Sequence, residues 1–277
     1  IQTFFTEGKG AFLKNEISEG TWNDITHFEG NANAFRLLAH RFKGRRDGGF
    51  VMTYSTLASI VKYPFESALA GDHGKFGFFC TEKEIYQKIA DELGIIRHSQ
   101  SGAPLAYARH PLVYLVEAAD DICYEIMDIE DSHKLKILSF EQTKDLLLGF
   151  FDESVKNSIE KRIKDEGITD DNEKVIYMRA CVIGKLENVC ARAFIDHEKE
   201  ILDGTFKGCL IDHIPEPQRE AYKRCTEVSF NRIYKSKPVL DVELSGFKIM
   251  ETLMEIMTEA AVHPDRFYSK QLISRVS

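Results

Sequence analysis

No hydrophobic run in the 277 residues approaches the ~20 apolar positions that a membrane-crossing helix needs, and the first residues do not read as a signal peptide. Membrane proteins are therefore outside the expectation, and a cytoplasmic location is inside it. The six cysteines (Cys80, Cys123, Cys181, Cys190, Cys209, Cys225) form no C-x-x-C pair, which reads as reduced core thiols rather than disulfides or a zinc site. Basic residues are outnumbered, and a net charge of −8 argues against a general nucleic-acid binder, although a local basic patch can still hold phosphates. There is no H-E-x-x-H, no His-Asp dipeptide, and no G-x-G-x-x-G, P-loop or G-x-S-x-G motif. The nine histidines are dispersed, no two of them four apart on a helix. Asp72-His73, Asp196-His197 and Asp212-His213 have the reverse order and read as surface pairs. Alternation with period two is scarce; VMTYS and FGFF are the best strand candidates, and both are weak. No internal repeat, low-complexity tract or long linker appears.

Helical periodicity fills the space left by these absences. With 43% hydrophobic and 29% charged residues the chain reads as globular, with enough length to bury a sizeable core. From Asp24 or Thr26 as N-cap, Phe28, Ala32, Phe35, Leu38 and Phe42 follow at helical spacing, and the loop KGRRDGG ends the run. Thr53 to Tyr63 predicts a short helix stopped by Pro64. A capping box at Thr81 and Glu84 predicts a helix closed by Gly94, and a second at Ser139 and Gln142 predicts one reaching Phe151. A long helix is expected from Asp171 to Leu202, closed by Gly204, and another from Glu216 to Tyr234. After Pro238 comes a last long helix with Val242, Phe247, Ile249, Leu253 and Ile256 as its apolar side, then a short one from Phe267 to Val276. The expected fold is all-α, residues 1–277 forming one domain without an internal boundary.

The stretch from Arg109 to Asp131 is the most unusual. Pro111 suits a first helical turn, and Leu115, Ala118, Ala119, Ile122, Ile126 and Ile129 mark one buried face. Seven acidic residues and no basic one lie between Glu117 and Asp131. Asp120, Tyr124 and Asp128 are four apart and stack along one side. Two readings fit that stripe. It is either a solvated acidic face with Tyr124 covering the core edge, or a hard-cation ligand beside two polar substrate contacts. A single helix cannot furnish a whole metal site. Arg41, Lys43, Arg45 and Arg46 cluster at a helix end, as a solvated charge run or as a phosphate or effector contact.

Taken together, the blocks resemble one family. HPLVYLVEAADDICYEIMDIED, H-F-E-G-N-A at His27 to Ala32 with F-R-L-L after it, and T-L-A-S-I-V-K-Y-P at Thr56 to Pro64 resemble the deoxyguanosine triphosphate triphosphohydrolase (dGTPase) family of the HD-domain superfamily. ENVCARAFIDHEKEILDG and IYKSKPVLDVELSGFKIMETLM resemble its later helices in the same order. The resemblance implies an HD-domain-like helical bundle with additional C-terminal helices. It also implies hydrolysis of a deoxynucleoside triphosphate to the deoxynucleoside and inorganic triphosphate, with a divalent ion (Mg²⁺, Mn²⁺ or Co²⁺) activating water.

Residue by residue, the resemblance makes Asp120 a metal ligand, the last of an H…HD…D set. It sets Tyr124 on the nucleotide and Asp128 on the sugar 3′-hydroxyl. Lys62 and Tyr63 match a position near the phosphates. Asn31 is a further candidate near the site, or else the maker of a helix-start hydrogen bond. A homo-oligomer is also implied, and a single-stranded DNA or dNTP effector is a possible partner. The departures matter as much. The family's metal histidine, its His-Asp pair and its Gly-His-x-Gly-Glu segment precede the FEGN block and are absent here, and Asn33 stands where Gln is usual. The chain, beginning at Ile1, therefore reads as an internal piece with no catalytic residue of its own. The alternative is a degenerate member that binds nucleotide or assembles an oligomer without hydrolysis.

Overall fold

The computed structural model describes residues 1–41 and 48–276. In chain order its α-helices are α1 (Gln2–Thr6), α2 (Glu19–Thr26), α3 (Gly30–Ala39), α4 (Tyr54–Ser59), α5 (Lys83–Leu93), α6 (Val113–Lys134) and α7 (Phe140–Leu148). They continue as α8 (Glu153–Asp165), α9 (Asp171–Asp196), α10 (Glu198–Leu202), α11 (Glu216–Val228), α12 (Lys237–Val262) and α13 (Phe267–Val276). No strand forms among the described residues, as the scarcity of alternation predicts. VMTYS instead enters α4, and Phe78 of FGFF makes an isolated bridge to Glu66. The chain divides into two compact units, Ile1–Val113 with Glu243–Ser277, and Tyr114–Val242. The sequence marks neither boundary, because each falls inside or at the edge of a continuous helix rather than in a Pro/Gly-rich linker.

In the first unit the core is aromatic. Phe35, Leu57, Val61, Phe78, Tyr86 and Ile89 are buried together, and the Phe78 and Tyr86 rings stack at 4.5 Å. The helix expected from Asp24 onward is two helices. Glu29 is extended (φ −126°, ψ 131°) and caps α3 by accepting from the amides of Asn31 and Ala32. Asp24 is no cap; buried, it accepts from Ser67 Oγ at 2.6 Å and Cys80 N at 2.7 Å, tying α2 to two loops. The Thr81–Glu84 capping box does not form either. Thr81 Oγ1 donates to Glu82 Oε2, and a short 3-10 turn (Cys80–Glu82) leads into α5, which Gly94 does close in the left-handed conformation. The Lys43, Arg45 and Arg46 part of the basic cluster, with Phe42, lies outside the described residues.

The second unit is organised on α6. Ile122, Ile126 and Ile129 are buried with Leu138, Leu147, Phe150, Met178, Val182 and Leu186 of α7, α9 and their connections. The Ser139–Gln142 capping box is complete. The structure adds α8 beyond the expected helices; it was unseen because only Ile159 is buried, and one apolar anchor leaves no period to read. The long helix stops at Asp196, not Leu202: His197 breaks it, with its backbone at φ −107°, before the short α10. The helix from Glu216 becomes a π turn over Ser229–Ile233.

The apolar side expected on α12 is largely exposed, Val242 at 73%, Phe247 at 60% and Ile249 at 60%, and Ala260 is the helix's buried residue. None of the six cysteines is in a disulfide. Burial pushes the thiols of Cys190 up to about 11 and Cys225 up to about 12, so both stay protonated. Among the described residues no helix is long and apolar enough to cross a membrane.

The contrast between α6 and α12 is measurable. Ile126→Ala, at a position with no exposed surface, is expected to cost about 2–5 kcal/mol in denaturant unfolding, transfer and cavity terms together. Leu244→Ala, on a side chain 71% exposed, is expected to change stability by no more than about 0.5 kcal/mol.

Candidate functional site

In the first unit, Lys62 and Tyr63 do not end a helix. α4 stops at Ser59, capped at its start by the Thr53 side chain, and the chain then runs on through Pro64. This segment is held on both sides by backbone: Tyr107 N donates to the Pro64 carbonyl at 2.9 Å, Glu66 N to Leu105 O at 3.1 Å, and Gly77 N to Phe65 O at 3.0 Å. Gly77 has to be glycine, since a Cβ there would collide with the Tyr63 carbonyl oxygen and the Val61 side chain. Arg109 Nε donates to the Lys62 carbonyl at 2.9 Å.

The consequence is a cluster of cations around one ring. Lys62 Nζ lies 5.8 Å from the Tyr63 centroid, Lys75 Nζ 5.9 Å and the Arg109 guanidinium 6.0 Å. Each is at cation–π distance, and together they suit a polyanion. Glu29 links this cluster to Asn31. Its carboxylate, 5% exposed, accepts from Lys75 Nζ at 3.1 Å, from Asn31 N at 2.6 Å and from Asn31 Nδ2 at 3.4 Å. Asn31 therefore makes a helix-start hydrogen bond and also sits one carboxylate from the cations. Lys75, Arg109 and Glu29 were missed in the sequence, because their relation to Tyr63 is made by long-range backbone pairing that no local spacing reports.

In the second unit, α6 sorts its carboxylates. Glu117, Glu125 and Glu130 are buried, whereas Asp120 is exposed and Tyr124 is 69% exposed. Glu130 pairs with Arg179 Nη1 at 2.6 Å and Lys134 Nζ at 2.5 Å. Glu125 accepts from Ser229 Oγ at 2.7 Å and Thr226 Oγ1 at 2.9 Å. Asp128, half-buried, accepts from Tyr234 Oη at 2.6 Å. That bond and burial together push the Tyr234 hydroxyl upward, burial being the larger cause. The sequence-predicted trio thus stays on one face of α6, and the structure adds Tyr234 to it.

Two of the Asp-His pairs are more than solvated surface: the His197 and His213 rings meet at 4.8 Å beside Phe206, with His197 Nδ1 3.1 Å from Glu200. Among the described residues no group of three or more His, Cys, Asp or Glu is arranged to hold a metal ion. One exposed carboxylate, Asp120, does not satisfy a divalent cation that takes about six ligands. The residues described here do not by themselves fit that ion.

By fold the chain is all-α, consistent with an HD-like helical bundle. No protein-family model matches it. Individual proteins do. A deoxyguanosinetriphosphate triphosphohydrolase-like protein of Pseudomonas aeruginosa is 31% identical over 283 residues, covering 99% of this chain and 62% of that protein. One of Synechocystis sp. is 34% identical over 269 residues, covering 92% of this chain and 57% of its own length. A protein of Yersinia enterocolitica named deoxyguanosinetriphosphate triphosphohydrolase is 27% identical over 272 residues, covering 92% and 50%. These homologues are consistent with the dGTPase family, as the FEGNA and EAADDICY blocks imply. The chain spans less than two thirds of the length of these relatives.

Burial raises the Glu125 carboxyl above the ordinary glutamate value, partly countered by the Ser229 and Thr226 hydrogen bonds, with the Asp128 charge adding to the rise. Between the ordinary and the raised value the folded chain holds a proton that the unfolded chain has released. Stability from this group is therefore complete below that window and falls as pH rises through it. Glu125→Gln is expected to flatten this part of the curve in melting experiments across a pH series. An unchanged slope would count against a perturbed Glu125.

Proposed function

We propose that the whole protein of which this chain is part hydrolyses deoxynucleoside triphosphates to deoxynucleoside and inorganic triphosphate. The observation that carries the reading is the sorting of α6. Glu125 and Glu130 turn to protein partners while Asp120, Tyr124 and Asp128 share one stripe on which Asp120 and Tyr124 are exposed, in a chain whose relatives are named triphosphohydrolases or like proteins. An exposed tyrosine flanked one turn away on each side by a carboxylate has the groups to meet a nucleoside: an aromatic face, and an acceptor for a sugar hydroxyl. In this proposal Tyr124 contacts the nucleotide and Asp128 accepts from the 3′-hydroxyl. A ligand lacking that hydroxyl would leave the carboxylate without its donor, which costs affinity.

The cations around Tyr63 support a phosphate role for Lys62 and Tyr63, extended here to Lys75 and Arg109. Lys62, Lys75 and Arg109 around one tyrosine ring, with Glu29 accepting from Lys75, are the groups that would meet phosphate oxygens in this proposal. Asn31 acts in this proposal through Glu29, which it shares with Lys75. The divalent ion belongs to the proposal as well, with Asp120 as this chain's contribution to it and the other ligands drawn from outside the described residues. A homo-oligomer is likewise part of the reading.

Triphosphate release by the whole protein from each of the four dNTPs, with Mg²⁺, Mn²⁺ or Co²⁺, is the direct test. Release is expected from at least one, falling by two or more orders of magnitude in Asp120→Ala and showing a raised KM in Lys75→Ala. No release under any of these conditions would leave nucleotide binding or oligomer assembly as the function. Full activity in Asp120→Ala would remove that residue from the site.

A further inference from the structure

The α6 and α11 helices meet through a matched polar register. Asp121, Glu125 and Asp128 are spaced four and three along α6; Tyr222, Thr226 and Ser229 have the same spacing along α11 and the turn after it. Tyr222 Oη donates to the Asp121 carbonyl at 3.1 Å, and Thr226 and Ser229 both donate to the Glu125 carboxylate. Tyr234 Oη donates to Asp128 Oδ2. Tyr234 reaches that position only because the helix widens. Over Ser229–Ile233 the winding is π, and Tyr234 N donates to Ser229 O at 3.0 Å. In an uninterrupted α-helix the residue stacked one turn above Ser229 is Ile233, which here is buried in the core. One extra residue in the turn puts Tyr234 there instead. Such wide turns are rare and cluster at functional sites.

Glu125 explains what holds the wide turn. It is 7% exposed, and a carboxylate in such a place is costly unless hydrogen-bonded. An apolar residue would fill the space between two helices at less cost, so the carboxylate's return is geometric: it fixes Ser229, the first residue of the π turn. We propose that Glu125, Ser229 and Tyr234 are positioning residues, a clip that fixes the Asp128 carboxylate by its Oδ2 and presents Oδ1 to a ligand's sugar hydroxyl. The clip rests on the reading of Asp128 as the acceptor for the 3′-hydroxyl. It makes discrimination for that hydroxyl a property of the turn after α11 as well as of α6.

The test is equilibrium binding of 2′-deoxy and 2′,3′-dideoxynucleoside triphosphates to the whole protein, read by the shift in melting midpoint over a ligand series. The wild type is expected to prefer the 3′-hydroxyl by about tenfold, the scale of one hydrogen bond to a charged group. Tyr234→Phe and Ser229→Ala are each expected to lose most of that preference. The double variant is expected to lose no more than either single one, because both act through the same carboxylate. Tyr234→Phe removes only a partly exposed hydroxyl, so it keeps the test open if Ser229→Ala unfolds. A wild type without preference, or a folded Tyr234→Phe with the full wild-type preference, overturns the clip. Triphosphate release measured on the same samples reads the hydrolase proposal separately: preference lost in the variants with no release anywhere supports the clip and rejects the hydrolase.

Discussion

Everything in the second unit depends on one burial. Ile122, Ile126 and Ile129 must leave water, and on a helix of 22 residues this fixes the rotation of every other side chain of α6. The acids are then divided by geometry. Those beside the isoleucines, Glu125 and Glu130, are carried into the protein and need donors, which Thr226, Ser229, Arg179 and Lys134 provide. On the far side Asp120 is left to solvent, Asp128 is held by Tyr234, and Glu117 is buried. Self-repulsion among seven carboxylates is relieved by pairing some and exposing the rest, so the composition of the helix and its proposed role follow from the same constraint.

The first unit reaches a comparable result through backbone rather than through a helix face. The segment Lys62–Glu66 is fixed by hydrogen bonds to residues 105–109 and 77, and a glycine at 77 permits the approach. Side chains distant in sequence are thereby gathered around Tyr63, with Glu29 both capping α3 and holding Lys75. A capping carboxylate that also pairs with a lysine couples helix formation to the charge of the cluster. Lys75 and Asn31 then share a partner although 44 positions separate them in the chain.

Much of this was legible in order of residues. Period 3.6 identified α6 and α9, the Ser139–Gln142 box and Gly94 marked real termini, and on the i, i+4, i+8 stripe of α6 Asp120 and Tyr124 are exposed and Asp128 half-buried. Errors arose where a residue had a stronger partner than the helix start it was expected to cap. Asp24 looked like a cap and is instead bonded to Ser67 and Cys80; Thr81 looked like a cap and turns to Glu82. The apolar side of α12 was read correctly as apolar, but periodicity reports what a face is made of and not whether anything lies against it.

What the sequence determined by itself is therefore local: which segments are helical, where one face is apolar, and which blocks resemble a known family. Those properties come from neighbours within about one turn, and such neighbours are always present in the chain. Tertiary structure alone decided which carboxylates are buried, that Lys62, Lys75 and Arg109 surround one tyrosine, and that Tyr234 holds Asp128. Lys75 and Arg109 lie 12 and 46 residues from Tyr63, and Tyr234 lies 106 from Asp128, which it meets through a turn wound five residues wide beside α6.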